Sequence, residues 1–164
     1  KESLKMDIAS PNLFMTEKSG RTKYGFGVNV EQEINDFMGM FFRAGWNDGH
    51  NETWAFTEVD RTLSAGISAD GSKWHRKNDT VGLAYVISAL SNSHRDYLKA
   101  GGYGFELGDG HLNYGLENLS ELYYSFALKD NLFLSGAYQF IINPGYNRSR
   151  GPVNVLSLRI HAVF

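Results

Sequence analysis

The residues able to do chemistry in this chain are spread along it rather than gathered at one point. Arg43, Glu58, Asp60, Glu121, Tyr123, Gln139, Arg159 and His161 each fall on the polar side of a segment in which apolar and polar positions alternate. Planar hydrogen-bonding groups of both charge signs, beside a phenol, can pair with neutral hydroxyls without demanding one charge sign. Set around a watery passage, such groups also tune selectivity. One of them alone would only solvate a surface.

Other constellations carry less. Asp48-Gly49-His50-Asn51-Glu52 brings three metal-ligand types close together, and Asp109-Gly110-His111 does so on a smaller scale. Neither has the ligand set and spacing of a calcium loop or a zinc site. Turn formation by Asp-Gly explains both better, so no metal is expected. Ser157 and His161 share one strand face, but four residues along a strand span about 13 Å, too far for a nucleophile and its base. Gly-x-Ser-x-Gly is absent from the sequence. Gly102-x-Gly104-x-x-x-Gly108 has the wrong spacing for a dinucleotide fingerprint. With no cysteine, thiolate chemistry and disulfides are excluded. The expectation is a protein that is not an enzyme and needs no cofactor.

The elements that must position these residues follow from composition and period. The 164 residues make about one domain, with 11 Phe, 9 Tyr, 3 Trp and 18 Gly against only 3 Pro. Aromatics and glycine together suit many-stranded sheets and barrels better than helices. A net charge of −2 offers no basic footprint, so nucleic acid is not an expected partner. No apolar run approaches the roughly 18 residues of a transmembrane helix. A mean hydropathy of −0.34 does not exclude a β-barrel, whose strands alternate faces.

Period two recurs along most of the chain. Tyr24, Phe26, Val28 and Val30 oppose Gly25, Gly27, Asn29 and Glu31. Met38, Met40, Phe42, Ala44 and Trp46 oppose Gly39, Phe41, Arg43, Gly45 and Asn47. From Phe56 to Ile67, Val59, Leu63, Ala65 and Ile67 oppose Glu58, Asp60, Thr62 and Ser64, with Arg61 breaking the apolar face. Val81 to Ala89, Glu121 to Leu128, Leu132 to Asn143 and Leu156 to Phe164 repeat the pattern, and Leu4, Met6 and Ile8 give a weaker first segment. Eight candidate strands result, most near the roughly 9–11 residues that cross a bilayer when tilted.

The links alternate as well. Asn35-Asp36, Asp70 to Asn78 and Lys129-Asp130-Asn131 lie on one side. Pro11 to Gly20, Asn47 to Glu52, Ser91 to His111 and Asn143 to Gly151 lie on the other and are mostly longer. Short turns on one rim and long loops on the other are the habit of outer-membrane barrels. A soluble sandwich or lipocalin-like barrel alternates equally well. The charged wet faces, and Tyr24, Trp46, Trp54, Tyr85, Tyr124 and Tyr138 near strand ends, favour the membrane form.

Several stretches resemble the carbohydrate-selective porin family, the OprB-like porins. They include Lys23-Tyr24-Gly25-Phe26-Gly27, Arg43-Ala44-Gly45-Trp46-Asn47-Asp48-Gly49 and Phe56-Thr57-Glu58-Val59-Asp60. In the C-terminal half they include Gly101-Gly102-Tyr103-Gly104-Phe105, Glu121-Leu122-Tyr123-Tyr124, Asn143-Pro144-Gly145-Tyr146-Asn147-Arg148 and the ending through Arg159-Ile160-His161 to Phe164. The resemblance implies a sixteen-stranded antiparallel transmembrane β-barrel in the bacterial outer membrane that passes mono- and small oligosaccharides by diffusion. Residues 1–164 would be the C-terminal portion of that barrel. Arg43, Glu58, Asp60, Glu121, Tyr123, Arg159 and His161 are the expected channel-lining set, and Phe164 the expected signal to the barrel-assembly machinery. Expected partners are carbohydrate solutes and outer-membrane lipid, with room for a homo-oligomer. The alternative is a small eight-stranded structural or adhesion barrel without transport, whose narrow interior would not pass a sugar.

Overall fold

The computed structural model describes residues 2–5, 11–51 and 58–163. Seven strands form one antiparallel sheet in chain order: β1 (Gly25–Asn35), β2 (Met38–Asn47), β3 (Arg61–Gly71), β4 (Arg76–Ala89), β5 (Glu117–Lys129), β6 (Leu132–Ile142) and β7 (Val153–Ala162). Each strand pairs with its sequence neighbours, so the chain is a meander with β1 and β7 at its edges. Strand lengths of 10 to 14 residues suit a tilted crossing of a bilayer.

Register carries the alternation across the whole sheet. Phe26 faces Trp46, Phe42 faces Ala65, Ile67 faces Leu83, Leu83 faces Leu122, and Tyr138 faces Leu156. Side chains at directly paired positions share a face, so the apolar positions of all seven strands form one continuous surface. That surface is also the more exposed one, with Phe26 at 72% and Leu156 at 83%. On the central strand β4 the opposite face is the more sheltered, with Gly82 and Ser88 buried while Leu83 and Tyr85 are exposed, and on the edge strands β1 and β7 both faces are exposed. An apolar face of this extent would associate in water but matches hydrocarbon.

Short links join β1–β2, β3–β4 and β5–β6 at one rim, and long ones join β2–β3, β4–β5 and β6–β7 at the other. Asx contacts set two of the short turns: Asn35 Oδ1 accepts from the Phe37 N–H at 3.2 Å and Asp70 Oδ1 from the Ser72 N–H at 2.8 Å. At the long-link rim the Trp46 ring lies 5.9 Å from Tyr24 and 5.3 Å from Phe26. At the short-turn rim Trp74 Nε1 donates to the Tyr124 hydroxyl at 3.0 Å. Aromatics therefore mark both rims, as interfacial girdles do. Tyr85 and Tyr138 sit deeper, with hydroxyls donating to Asn118 and Asn154. Trp54 lies outside the described residues.

Two expectations change. The segment at Leu4 is not a strand: Ser3–Lys5 is a 3₁₀ turn, and Leu4 packs among the loops. Met6 and Ile8 lie outside the described residues, so the described sheet has seven strands rather than eight. The strand expected from Phe56 begins only at Arg61. Arg61 does point to the apolar face, opposite Trp46 and Ala89, but at the last pair before the long-link rim, where a guanidinium can reach water.

The hydrophobic core lies in the long links, not in the sheet. Leu90, Tyr97, Leu98, Leu112 and Tyr146 are buried together, with Leu4, Leu13, Leu107 and Tyr114 against them. Within the β4–β5 link runs a helix, α1 (Asn92–Lys99), absent from the strand-and-loop expectation. Ser91 caps it, its Oγ accepting from the His94 N–H at 3.1 Å. It ends with the Gly102 N–H on the Tyr97 carbonyl and the Gly101 N–H on the Leu98 carbonyl, and Gly101 takes φ +88°.

Candidate functional site

The wet face is a wall of polar groups, several of them paired. Arg43 Nε donates to Asn29 Oδ1 at 2.8 Å and Nη2 donates to Glu31 Oε1 at 3.0 Å, while its guanidinium lies 5.0 Å from the Phe41 ring centroid. These contacts are exposed and add little stability, but they hold the guanidinium in one orientation. Gln139 donates to Glu121 across β5–β6. Following the pairings, Glu31, Phe41, Gly66, Ala84, Glu121 and Gln139 form one row, with Arg43 in the next row toward the long-link rim. Nearer the short-turn rim, the Phe133 and His161 rings stack at 6.0 Å, and Arg159 sits opposite Ser135.

Two rings lie flat across neighbouring strands. Phe41 covers Gly66 and Tyr123 covers Gly82, so closely that a Cβ would stand 2.4 Å and 2.2 Å from ring carbons. Both rings therefore line the wall side-on instead of projecting from it.

At the long-link rim the loops fold over this same face into a cap. Asn47, on the wet side of β2, donates from Nδ2 to the Val59 carbonyl at 2.9 Å. Glu117, on the wet side of β5, accepts from the Gly145 N–H at 2.7 Å. Asp60 is the central tie: Oδ2 accepts from the Ser91 N–H at 2.8 Å and lies 3.0 Å from His94 Nδ1. Ser91 Oγ donates to the Gly49 carbonyl at 3.2 Å. Burial raises the Asp60 carboxyl, but the hydrogen bonds from His94 and from the Ser91 backbone outweigh it and hold its pKa below the ordinary value. Glu58 ties two more loops, with Oε1 accepting from the Phe105 N–H at 2.6 Å and its carbonyl accepting from the Tyr146 hydroxyl at 3.0 Å. Burial, then the Glu117 charge, pushes the Tyr146 phenol up, so it stays a donor. Asp109 accepts from Arg150 at 2.8 Å and from Asn147 at 3.3 Å, fastening the β6–β7 link to the β4–β5 link.

Comparison with known proteins settles the family. The family model for carbohydrate-selective porins, OprB family, matches residues 10–164. The chain belongs to the OprB family. Among solved structures, the high-pH structure of Pseudomonas putida OprB is similar in fold at 19% identity and a TM-score of 0.71, with 85% of this chain covered. The chain spans 35% of the length of that porin chain. Among the curated proteins nothing matches. OprB-family proteins are outer-membrane porins, so this β-sheet is part of a barrel in the bacterial outer membrane. Its short-turn rim is then periplasmic and the capped rim extracellular.

Within this OprB-type sheet, Arg43, Glu121, Tyr123, Arg159 and His161 all stand on strand positions of the wet face. Glu58 and Asp60 do not. They precede β3 and are buried in the cap at 5% and 2% exposure. Their alternation with Val59 had the period of a strand without being one. Phe164 lies outside the described residues. Asp48-Gly49-His50 forms a turn, with Gly49 at φ +57° and Asp48 Oδ1 accepting from the His50 N–H at 3.2 Å. Asp109-Gly110-His111 likewise turns at Gly110, φ +80°. The residues that sequence reasoning missed are the cap ties Ser91, His94, Glu117 and Tyr146. Asn143-Pro144-Gly145-Tyr146-Asn147 was noted only as a family motif. Here it is the buried centre of the β6–β7 link, with Asn143, Gly145 and Tyr146 all at positive φ.

Proposed function

We propose that residues 1–164 form the C-terminal portion of an outer-membrane porin that passes mono- and small oligosaccharides by diffusion through a water-filled lumen. In this reading Arg43, Glu121, Tyr123, Arg159 and His161 line the passage, and Glu58 and Asp60 shape its mouth from within the cap. The observation that carries the reading is the two-sidedness of the sheet: a polar face bearing carboxylates, guanidinium, amide and phenol, and an opposite face that is apolar across seven strands. Among the described residues β1 and β7 pair on one side only, which supports further strands beside them, since open edges are not stable in hydrocarbon. Phe164, which by sequence continues the alternation of Leu156, Leu158 and Ile160, is assigned the assembly signal. Its deletion should lower the amount of heat-modifiable barrel while leaving synthesis intact.

Vesicle swelling tests the function. The full-length protein in lipid vesicles should admit monosaccharides faster than amino acids of similar size, and Arg43→Ala with Arg159→Ala should change the ranking of sugars more than the folding. Equal rates for all solutes would reduce the protein to a general pore, and no swelling would reject transport.

A further inference from the structure

One buried carboxylate oxygen in the cap has no partner. Glu58 is buried, at 5% exposure, and its Oε1 is taken by the Phe105 N–H at 2.6 Å, but Oε2 meets no hydrogen-bond donor among the described residues. Leaving a buried acceptor unmade is costly. The carboxylate borders a cavity of about 40 Å³ whose wall includes Leu13, His50, Asn51, Ser93, His94 and Tyr97, room for roughly three waters. Gly104 makes room for this carboxylate, since a Cβ there would stand 1.9 Å from Glu58 Oε1.

A second hollow lies beside this cavity. Leu13, Tyr97 and Gly104 also border a groove of about 520 Å³ lined by Phe14, Tyr103 and Phe105, within the size range of small-ligand sites. Phe14 at 84% and Tyr103 at 60% exposure stand over it, outside the cap's own core. A bare cation is a poor occupant, because no three carboxylate or imidazole ligands converge among the described residues. A hydroxyl donor attached to a flat, partly apolar ring suits both halves: the hydroxyl for Glu58 Oε2, the C–H face for the aromatic rings.

We propose that the extracellular cap carries a capture site for a neutral sugar, with a hydroxyl donated to Glu58 at the cavity floor and the sugar ring held against Phe14 and Tyr103. The inference rests on the porin reading and adds a binding step ahead of the lumen wall.

The test is titration of the full-length porin in detergent with glucose, read by calorimetry, for the parent and for Glu58→Gln, Tyr103→Ala and Phe14→Ala. Heat-modifiable mobility checks that each barrel is folded. Glu58→Gln keeps an oxygen for the Phe105 N–H but turns a donor toward the cavity. It should raise the glucose dissociation constant about tenfold or more, the scale of a lost hydrogen bond to a charged group. Tyr103→Ala and Phe14→Ala should weaken binding several-fold. If Glu58→Gln fails to fold, the two exposed aromatic variants decide the matter. Unchanged affinity in folded variants, with sugar swelling intact in the parent, overturns the capture site and leaves the porin reading standing. Absence of both glucose binding and swelling in the parent overturns both.

Discussion

The wall and the cap are built on opposite principles. Among the described residues the wall has no buried apolar cluster: its strands are joined by six backbone ladders, and most of each face is left for something outside it, lipid on one side and water on the other. The cap is a small globular structure, with a buried cluster and polar ties that reach across as many as 88 residues of sequence. A wall residue is therefore tested mainly by the medium it faces, and a cap residue by the partner it meets.

The largest effect that follows is on the outward face. Leu83→Arg, in mid-strand on β4, should cost about 2–4 kcal/mol, as charges do at the bilayer midplane of barrels. Ala84→Arg, one residue along and facing the lumen, should cost far less. Urea-driven unfolding from vesicles measures both, and similar losses would erase the distinction between the faces.

In the cap, Asp60→Ala strips the acceptor from both Ser91 and His94, a loss of about 1–3 kcal/mol for buried groups left unmet. The loss should appear locally, as faster hydrogen exchange in residues 90–116, with the β1–β2 ladder unchanged. The same tie has a pH signature. Because the folded Asp60 carboxyl is held below its ordinary value, its contribution is complete above the unfolded carboxylate range and is lost as pH falls through the lowered folded value. Protease nicking of the β4–β5 link should rise in that acid window before the sheet responds. Tyr146→Phe should remove about 0.5–1.5 kcal/mol from the cap alone through the lost bond to the Glu58 carbonyl. Arg43→Ala should be the smallest in stability, within about 0.5 kcal/mol because its ion pair is exposed, while altering solute preference.

The same division explains what could be read from the sequence. Wall strands were legible because a face that meets one medium must repeat every second residue, and Tyr24 to Glu31 or Leu132 to Ile142 shows it directly. The wet-wall residues Arg43, Glu121, Tyr123, Arg159 and His161 followed from the same parity. The cap obeys no period. Leu90, Leu112 and Tyr146 meet through loop closure, and nothing in their spacing announces it. Glu58 and Asp60 show the cost of relying on alternation alone, since a polar-apolar-polar triplet such as Glu58-Val59-Asp60 imitates a strand as well as it begins one. The signal for α1 was local: Ser91 ahead of a polar first turn, Tyr97 and Leu98 adjacent, then Gly101-Gly102.

The flat rings of Phe41 and Tyr123 have a consequence for the width of the opening. Because Gly66 and Gly82 let them lie down against the strands, the channel keeps the full radius that its strand number permits. A methyl group at either glycine would tip a ring upright toward the axis. The aperture of such a barrel is thus adjustable by the smallest residues in it, at positions that bear no charge.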